Sequence, residues 1–255
     1  MVTVVSELIT GLAVSLIGVL AAMLWRNRGH LRLLASTMRP GRIRVSVAAV
    51  LRLQRDGTYV LFHSTRRPGS YGPPGGALKY RPSGRRELDR LCFQEEPRPI
   101  ATAAEDLRGF IPARSLPGFV RWWRSGTGRE SASEGLRREL TEELTEVGHP
   151  ELALDLAELS FVTVRTIVDG PMPVRPYRYR QIRFLEVCDL DLGASDALAL
   201  RQALFQLGES ATESQVICAR SVDIEHGRVD QYYIGAHSSY LFGARRINAD
   251  LPSLR

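Results

Sequence analysis

From Leu8 to Trp25 the chain runs LITGLAVSLIGVLAAMLW without one charged side chain, and six arginines with no acid follow between Arg26 and Arg44. As a helix this run would be about 27 Å long, close to the hydrocarbon thickness of a bilayer. Val2, Val4 and Val5 can extend it, and Trp25 stands at its polar end, where an interfacial ring belongs. Arginines stay on the cytoplasmic side, so the pattern predicts a single-pass helix with its N-terminus outside and the body inside. A secretory signal would carry positive charge before its apolar run, whereas here Glu7 precedes it. A buried soluble helix would have to be apolar all round. Glu7, Gly11, Ser15, Gly18 and Ala22 share one helical face and contain two small-xxx-small pairs, which let helix backbones approach closely in lipid. A homo-oligomer through this helix is the expectation.

The remainder is of another character. The net charge of +6 comes almost wholly from the segment after the apolar run, so the body is nearly neutral. A body that grips polymeric nucleic acid would show a broader basic excess, and none is expected to bind here. Hydrophobic residues at 44% and charged residues at 24% exclude wholesale disorder. Cys92, Cys188 and Cys218 are too few and too scattered for a disulfide scaffold or a cysteine zinc site. The predicted organisation is a transmembrane helix over 1–25, a basic linker over 26–42 and a mixed α/β body over 43–255.

Within the body, Ile43–Leu53 and Tyr59–His63 read as strands of a hairpin turned at Asp56-Gly57. A glycine- and proline-rich loop, Pro68 to Gly76, follows, where glycine permits close backbone approach. Residues 81–129 show no strong pattern and read as a partly ordered insertion, with a short helix around Leu116–Arg124 that carries Trp122 and Trp123. Strands are predicted at 160–168, 177–187 and 215–219, and a helix at 195–206.

The clearest element is a helix over 131–147. Leu136, Leu140, Leu144 and Val147 form its apolar stripe, and Gly148 and Pro150 stop it. Glu139, Glu142, Glu143 and Glu146 fall within an arc of roughly 100° beside that stripe. Four like charges so placed repel and weaken the helix. Arg138 answers part of this, and a divalent cation would answer it better, because Mg²⁺ takes carboxylates, waters and phosphate oxygens. The plain alternative is a solvated acidic face.

Written out, Glu130 is followed after seven residues by Arg138-Glu139-Leu140-Thr141-Glu142-Glu143, downstream of Tyr71-Gly72-Pro73-Pro74-Gly75-Gly76. Together these resemble the Nudix family over roughly residues 43–190. The resemblance implies a Nudix-like α/β/α sandwich with a long insertion before the Nudix helix. It implies Mg²⁺ held by Glu139, Glu142 and Glu143. If the site were hydrolytic, the catalytic groups would be Glu142, Glu143 and Arg138, with Arg138 orienting the glutamates, and Glu130 would brace the loop. Gly75 and Gly76 would bring the loop close to the metal. Arg124 stands where the family pattern has glycine, and Thr145 replaces the glycine after the paired glutamates, so the loop over the substrate is rebuilt.

The whole arrangement, from lone N-terminal helix to Arg129-Glu130, is similar to the CD-NTase-associated transmembrane–NUDIX effectors of bacterial CBASS antiphage systems, whose body is the SMODS-associated NUDIX domain. That implies a cytosolic sensor of a cyclic di- or trinucleotide, a functional link to a CD-NTase, and disruption of the inner membrane's lipid bilayer. Base stacking wants aromatic faces and phosphates want cations, so the nucleotide-binding candidates are Tyr71, Gly75, Gly76, Lys79, Tyr80, Trp122, Trp123 and Arg129. Core packing is the alternative for both tryptophans. A membrane-tethered Mg²⁺-dependent hydrolase of nucleoside diphosphate derivatives is the competing function, and an adaptor with a vestigial site is a third. A further acidic ligand is expected from Glu186, Glu209, Asp223, Glu225 or Asp230.

Overall fold

The structure, a computed structural model, describes residues 22–23, 40–65, 67–97, 105–154 and 156–249 of the chain. The apolar run Leu8–Trp25 and most of the basic linker lie outside them. Among the described residues no helix is long and apolar enough to cross a membrane.

Two six-stranded sheets organise the body. Strand β1 (Arg42–Leu51) is central to the first, whose order is β6-β7-β1-β9-β8. It runs parallel to β9 (Tyr179–Leu190) and antiparallel to β7 (Arg108–Pro112), while β8 (Phe161–Val174) flanks β9. The short β5 (Gly75–Ala77) pairs with β1 beyond the end of β7, and β6 (Gln94–Glu95) edges β7. Strand β1 alternates as a half-buried strand should: Ile43, Val45, Val47, Ala49 and Leu51 all point into one core.

The second sheet has the order β10-β3-β4-β12-β11. Its members are β2 (Gln54–Arg55), β3 (Thr58–His63), β4 (Ser70–Gly72), β10 (Val216–Arg220), β11 (Arg228–Val229) and β12 (Tyr232–Ile234). The expected hairpin is here much shorter than the sequence suggests. Asp56 and Gly57 do turn the chain with positive φ, but only Gln54 and Arg55 pair with β3. Strand β1 instead pairs along its length with β7 and β9 of the other sheet.

Among the described residues five helices pack on these sheets: α1 (Pro82–Arg90), α2 (Leu116–Ser125), α3 (Ala132–Glu146), α4 (Ser195–Glu209) and α5 (Ser221–His226). The stretch 81–129 is integral rather than an appended insertion. It supplies β7, which lies directly beside β1, and α2, whose Phe119, Trp122 and Trp123 are core residues. Helix α3 starts where a capping box dictates: the Ser131 hydroxyl accepts from Glu134 N–H, and the Glu134 carboxylate accepts from Ser131 N–H at 2.8 Å. Leu136, Leu140 and Leu144 are fully buried, each contributing about 1.5–3 kcal/mol. Gly148, at φ 89°, follows the helix in the left-handed conformation that ends it.

Candidate functional site

Burying the leucine stripe of α3 fixes where its acidic face looks. Glu139, Glu142, Glu143 and Glu146 all line one cavity of about 480 Å³, which also receives Gly75, Gly76 and Arg138. That volume lies within the range of roughly 300–1,000 Å³ usual for small-molecule sites. The acidic face therefore lines a pocket, with Glu139 and Glu143 half-buried and Glu142 and Glu146 still exposed to solvent.

The Gly75-Gly76 turn meets this wall at atomic contact. Gly75 N–H donates to Glu143 Oε2 at 2.7 Å. A Cβ on Gly76 would overlap the Glu139 carboxylate, so a side chain here would displace that carboxylate from its place on the wall. Gly75 has φ 126°, and a side chain there would strike the backbone of Ala49 and Val50.

Arg138 ties the wall together. Its Nε and Nη2 take both Glu130 oxygens at 3.0 and 2.9 Å, its Nη1 donates to Glu139 at 2.6 Å, and its Nη2 also reaches the Ala77 carbonyl at 2.8 Å. Glu142 lies farther out, 3.7 Å from Arg138 Nη1. Glu130 also accepts from Lys79 N–H at 2.8 Å, so it braces the loop as expected. Burial opposes the Arg138 charge, but its hydrogen bonds to Glu130 and Glu139 outweigh that and raise its pKa. Burial, and then repulsion by Glu139, raises Glu142 above the ordinary carboxylate range, against the pull of Arg138 and Lys79. Burial lifts Glu143 well above that range despite the Gly75 hydrogen bond, and the neighbouring carboxylates add to the rise.

The predicted nucleotide contacts divide. Tyr71, Gly75 and Gly76 line the cavity. The Tyr71 ring is packed edge-on between His63 and Tyr232, and its hydroxyl donates to the Ser214 carbonyl. Trp122 and Trp123 do not line it. They belong to the core beneath α2, where Trp123 packs 4.6 Å from the Phe184 ring. Tyr80 is buried away from it as well: its hydroxyl donates to Glu95 and accepts from Arg85, and burial with the Glu95 charge pushes its pKa up to about 12. Arg129 is spent on structure, donating to the Trp123 and Glu130 carbonyls and to Glu186 at 3.2 Å. Lys79 lies outside the lining, with a backbone bridge to Asp106, although its charge is felt at Glu142. In each case the residue type suited a ligand, but apolar contact or a nearer partner claimed it.

The carboxylate expected from the C-terminal half does not reach the described lining. Glu186 pairs with Arg129, Glu209 with Arg55, and Asp223 caps α5. That half instead contributes Gly235, Ala236 and His237, and the lining also takes His63, Arg67, Asp106 and Arg108. None of these was singled out from the sequence. His237 has a readable seat only in three dimensions: a Cβ on Gly72 would stand 3.0 Å from its Nε2, and one on Gly235 2.7 Å from its Cε1.

The donor set suits a hard divalent cation, being carboxylate oxygens held close enough to raise one another's pKa. Among the described residues no three Asp, Glu, His or Cys side chains stand together around one point as a metal cage. Mg²⁺ ordinarily takes one or two carboxylates and completes its shell with water and phosphate, and Glu139 and Glu142 fit that lesser requirement.

No curated protein matches the chain. Among solved structures, the solution structure of the E. coli ORF135 protein is similar at 13% identity over 79% of this chain and 87% of that one, with a TM-score of 0.29, and carries no argument here. The family model described as SMODS-associated NUDIX domain matches residues 42–242, from the first residue of β1 to the turn after Leu241, and the chain belongs to that family.

Proposed function

We propose that this protein is a membrane-anchored CBASS effector whose NUDIX body binds a cyclic oligonucleotide in the cavity beside α3 and passes that event to the N-terminal apolar helix. The observation that carries the reading is the charge of the cavity lining. Five carboxylates (Asp106, Glu139, Glu142, Glu143 and Glu146) face three guanidiniums (Arg67, Arg108 and Arg138), a formal balance of −2 with neutral imidazoles. A phosphorylated guest enters such a cavity only with a counter-cation or a proton, and a divalent ion supplies that charge.

Glu139 and Glu142 would hold the cation, which when bound offsets phosphate charge. Arg138 keeps Glu139 in place, and Glu143 fixes the Gly75 amide. One observation favours binding over turnover: Glu139 is engaged by Arg138 and Glu143 by Gly75 N–H. The proposed ligand is consistent with that, since a cyclic oligonucleotide has phosphodiesters but no diphosphate for such a site to cut.

Ligand energy shifts a membrane assembly only if it favours one state of the body over another. Self-association of the apolar helix along the Gly11–Ala22 face is the simplest second state. The test uses the full-length chain in detergent with Mg²⁺ and a panel of cyclic di- and trinucleotides. A member of the panel raises the melting temperature by mass action and is recovered intact by chromatography. Glu142→Gln removes the rise. Cleavage of a nucleoside diphosphate derivative that depends on Glu142 would establish the hydrolase instead, and neither shift nor cleavage would leave an adaptor.

A further inference from the structure

The carboxylate wall occupies only one side of the cavity. The first sheet adds Gly75 and Gly76 on β5 and Arg108 on β7, with Asp106 just before it, while the second sheet and its connections add side chains of opposite character to the wall: His63 at the end of β3, Arg67 in the turn to β4, and His237 just beyond β12. We infer that His63, Arg67 and His237 form a second anion subsite, so that the cavity selects guests carrying two separated phosphoryl groups. This deepens the proposed function and rests on it, since the first phosphate is the one held against α3.

Each member is built in rather than incidental. His237 sits between Gly72 and Gly235, where a Cβ would come within 3.0 and 2.7 Å of its ring. Two glycines on neighbouring strands thus leave room for one imidazole at the cavity edge. The segment carrying it is rigid: Ser238, Ser239, Tyr240 and Leu241 are all buried.

His63 has a fixed tautomer. Gly69 N–H donates to its Nε2 at 3.1 Å, so Nε2 is the acceptor and the neutral ring carries its proton on Nδ1. That Nδ1 is buried and has no hydrogen-bond partner, and a buried donor left so is costly. The guest's second phosphoryl oxygen is the acceptor that would satisfy it after a small opening of the wall.

Arg67 stands on a closed turn. Its N–H donates to the Ser64 carbonyl at 3.0 Å, and its carbonyl accepts from Ser70 N–H at 3.1 Å and Ser70 Oγ at 2.9 Å. A guanidinium presented from such a base suits a phosphate better than one on a mobile loop.

The test avoids any choice of base. Hexane-1,6-diyl bisphosphate and hexyl phosphate differ only in the second phosphate, and both are titrated calorimetrically into the full-length chain in detergent with Mg²⁺. The bisphosphate should bind about tenfold more tightly or better, as one added charged hydrogen-bonding contact allows. Arg67→Ala and His237→Ala should each cut that advantage while leaving hexyl phosphate unchanged, and His237→Gln should restore part of it by keeping a donor. Melting temperatures without probe show whether the variants fold. Equal affinity of the two probes for the wild-type chain, or an advantage that survives both alanine variants, overturns the subsite. If a cyclic oligonucleotide still raises the melting temperature in that case, the parent reading stands and only the subsite falls.

Discussion

Two adjacent glycines offer a perturbation that separates folding from function. Gly75 has φ 126°, and a Cβ there would lie 2.9 Å from Val50 Cα and against the Ala49 carbonyl. Neither backbone group can yield without disturbing the β1–β5 pairing. Left-handed strain of about 1–3 kcal/mol and overpacking of about 1–3 kcal/mol make Gly75→Ala cost about 4 kcal/mol. At about 2–4 °C per kcal/mol for a body of this size, the melting temperature falls by about 8–16 °C. Gly76 has an ordinary φ, and the nearest atoms its Cβ would meet belong to the Glu139 carboxylate. A long side chain can swing aside, at the loss of the 2.6 Å Arg138–Glu139 pair. Because that pair is partly exposed, its loss costs about 1 kcal/mol, or about 2–4 °C. Gly76→Ala should therefore remain folded and yet lose the Mg²⁺-dependent rise in melting temperature with a cyclic oligonucleotide, because Glu139 has been pushed from the cavity wall. Differential scanning calorimetry of the full-length chain, with and without Mg²⁺ and ligand, reads both effects. If Gly76→Ala keeps the full ligand-dependent rise, Glu139 is not part of the binding wall. If it destabilises as much as Gly75→Ala, the claim that a movable carboxylate is what stands in its way is wrong.

Other substitutions test other parts of the wall. Arg138→Lys loses the two-point contact with Glu130 and should lower stability by about 1–3 kcal/mol, read as a shift in the urea midpoint at unchanged slope. Trp123→Ala should cost about 3–5 kcal/mol as a core truncation, whereas Trp123→Phe should leave ligand-induced stabilisation intact, and its loss in the phenylalanine variant would return the ring to the binding site. His149 stands between Glu151 at 3.2 Å and Glu213 at 3.0 Å; burial lowers its pKa, but these two hydrogen bonds prevail and raise it above 6.5. A raised folded pKa means that the contribution is complete below pH 6.5 and disappears as pH climbs through the folded value. The melting temperature of wild type minus His149→Gln should thus be larger at pH 6 than at pH 8.5, and a pH-independent difference would refute the clamp.

How much of this was legible in advance follows from the range of the interactions. Helix α3 is a local object, with stripe, capping box, stop and acidic arc all within 131–148, and the structure reproduces it within a residue at each end. The glycine loop was legible as a run of glycine and proline, whereas the partners that require Gly75 and Gly76, namely Ala49, Val50, Glu139 and Glu143, are set by the fold. The tryptophans were ambiguous because α2 presents Phe119, Trp122 and Trp123 alike, and only the position of Phe184 on β9 decides that they pack inward. The hairpin misled because alternation in β1 reports that one face is buried without saying against which sheet. His237 could not be found at all, since its seat is made of Gly72 and Gly235, far apart in the sequence.

That separation also explains how the two walls of the cavity are made to depend on each other. Strands β4 and β12 are short and parallel, with Tyr71 opposite Ile234, and Gly235 N–H continues the ladder to the Tyr71 carbonyl at 2.8 Å. The residue after Tyr71 is Gly72, which seats His237, and three positions later Gly75 holds Glu143. About one turn further along α3, Thr65 Oγ1 donates to Glu146 at 3.0 Å and joins the turn bearing Arg67 to the carboxylate wall. Under the proposed function, a guest that drew Glu139 toward a cation would act beside Gly76, on the same loop whose Gly75 is held by Glu143 and whose Gly72 seats His237. The Gly235–Tyr71 and Gly75–Glu143 links use backbone N–H donors, which salt screens less than surface ion pairs, whereas Thr65–Glu146 is an exposed side-chain contact.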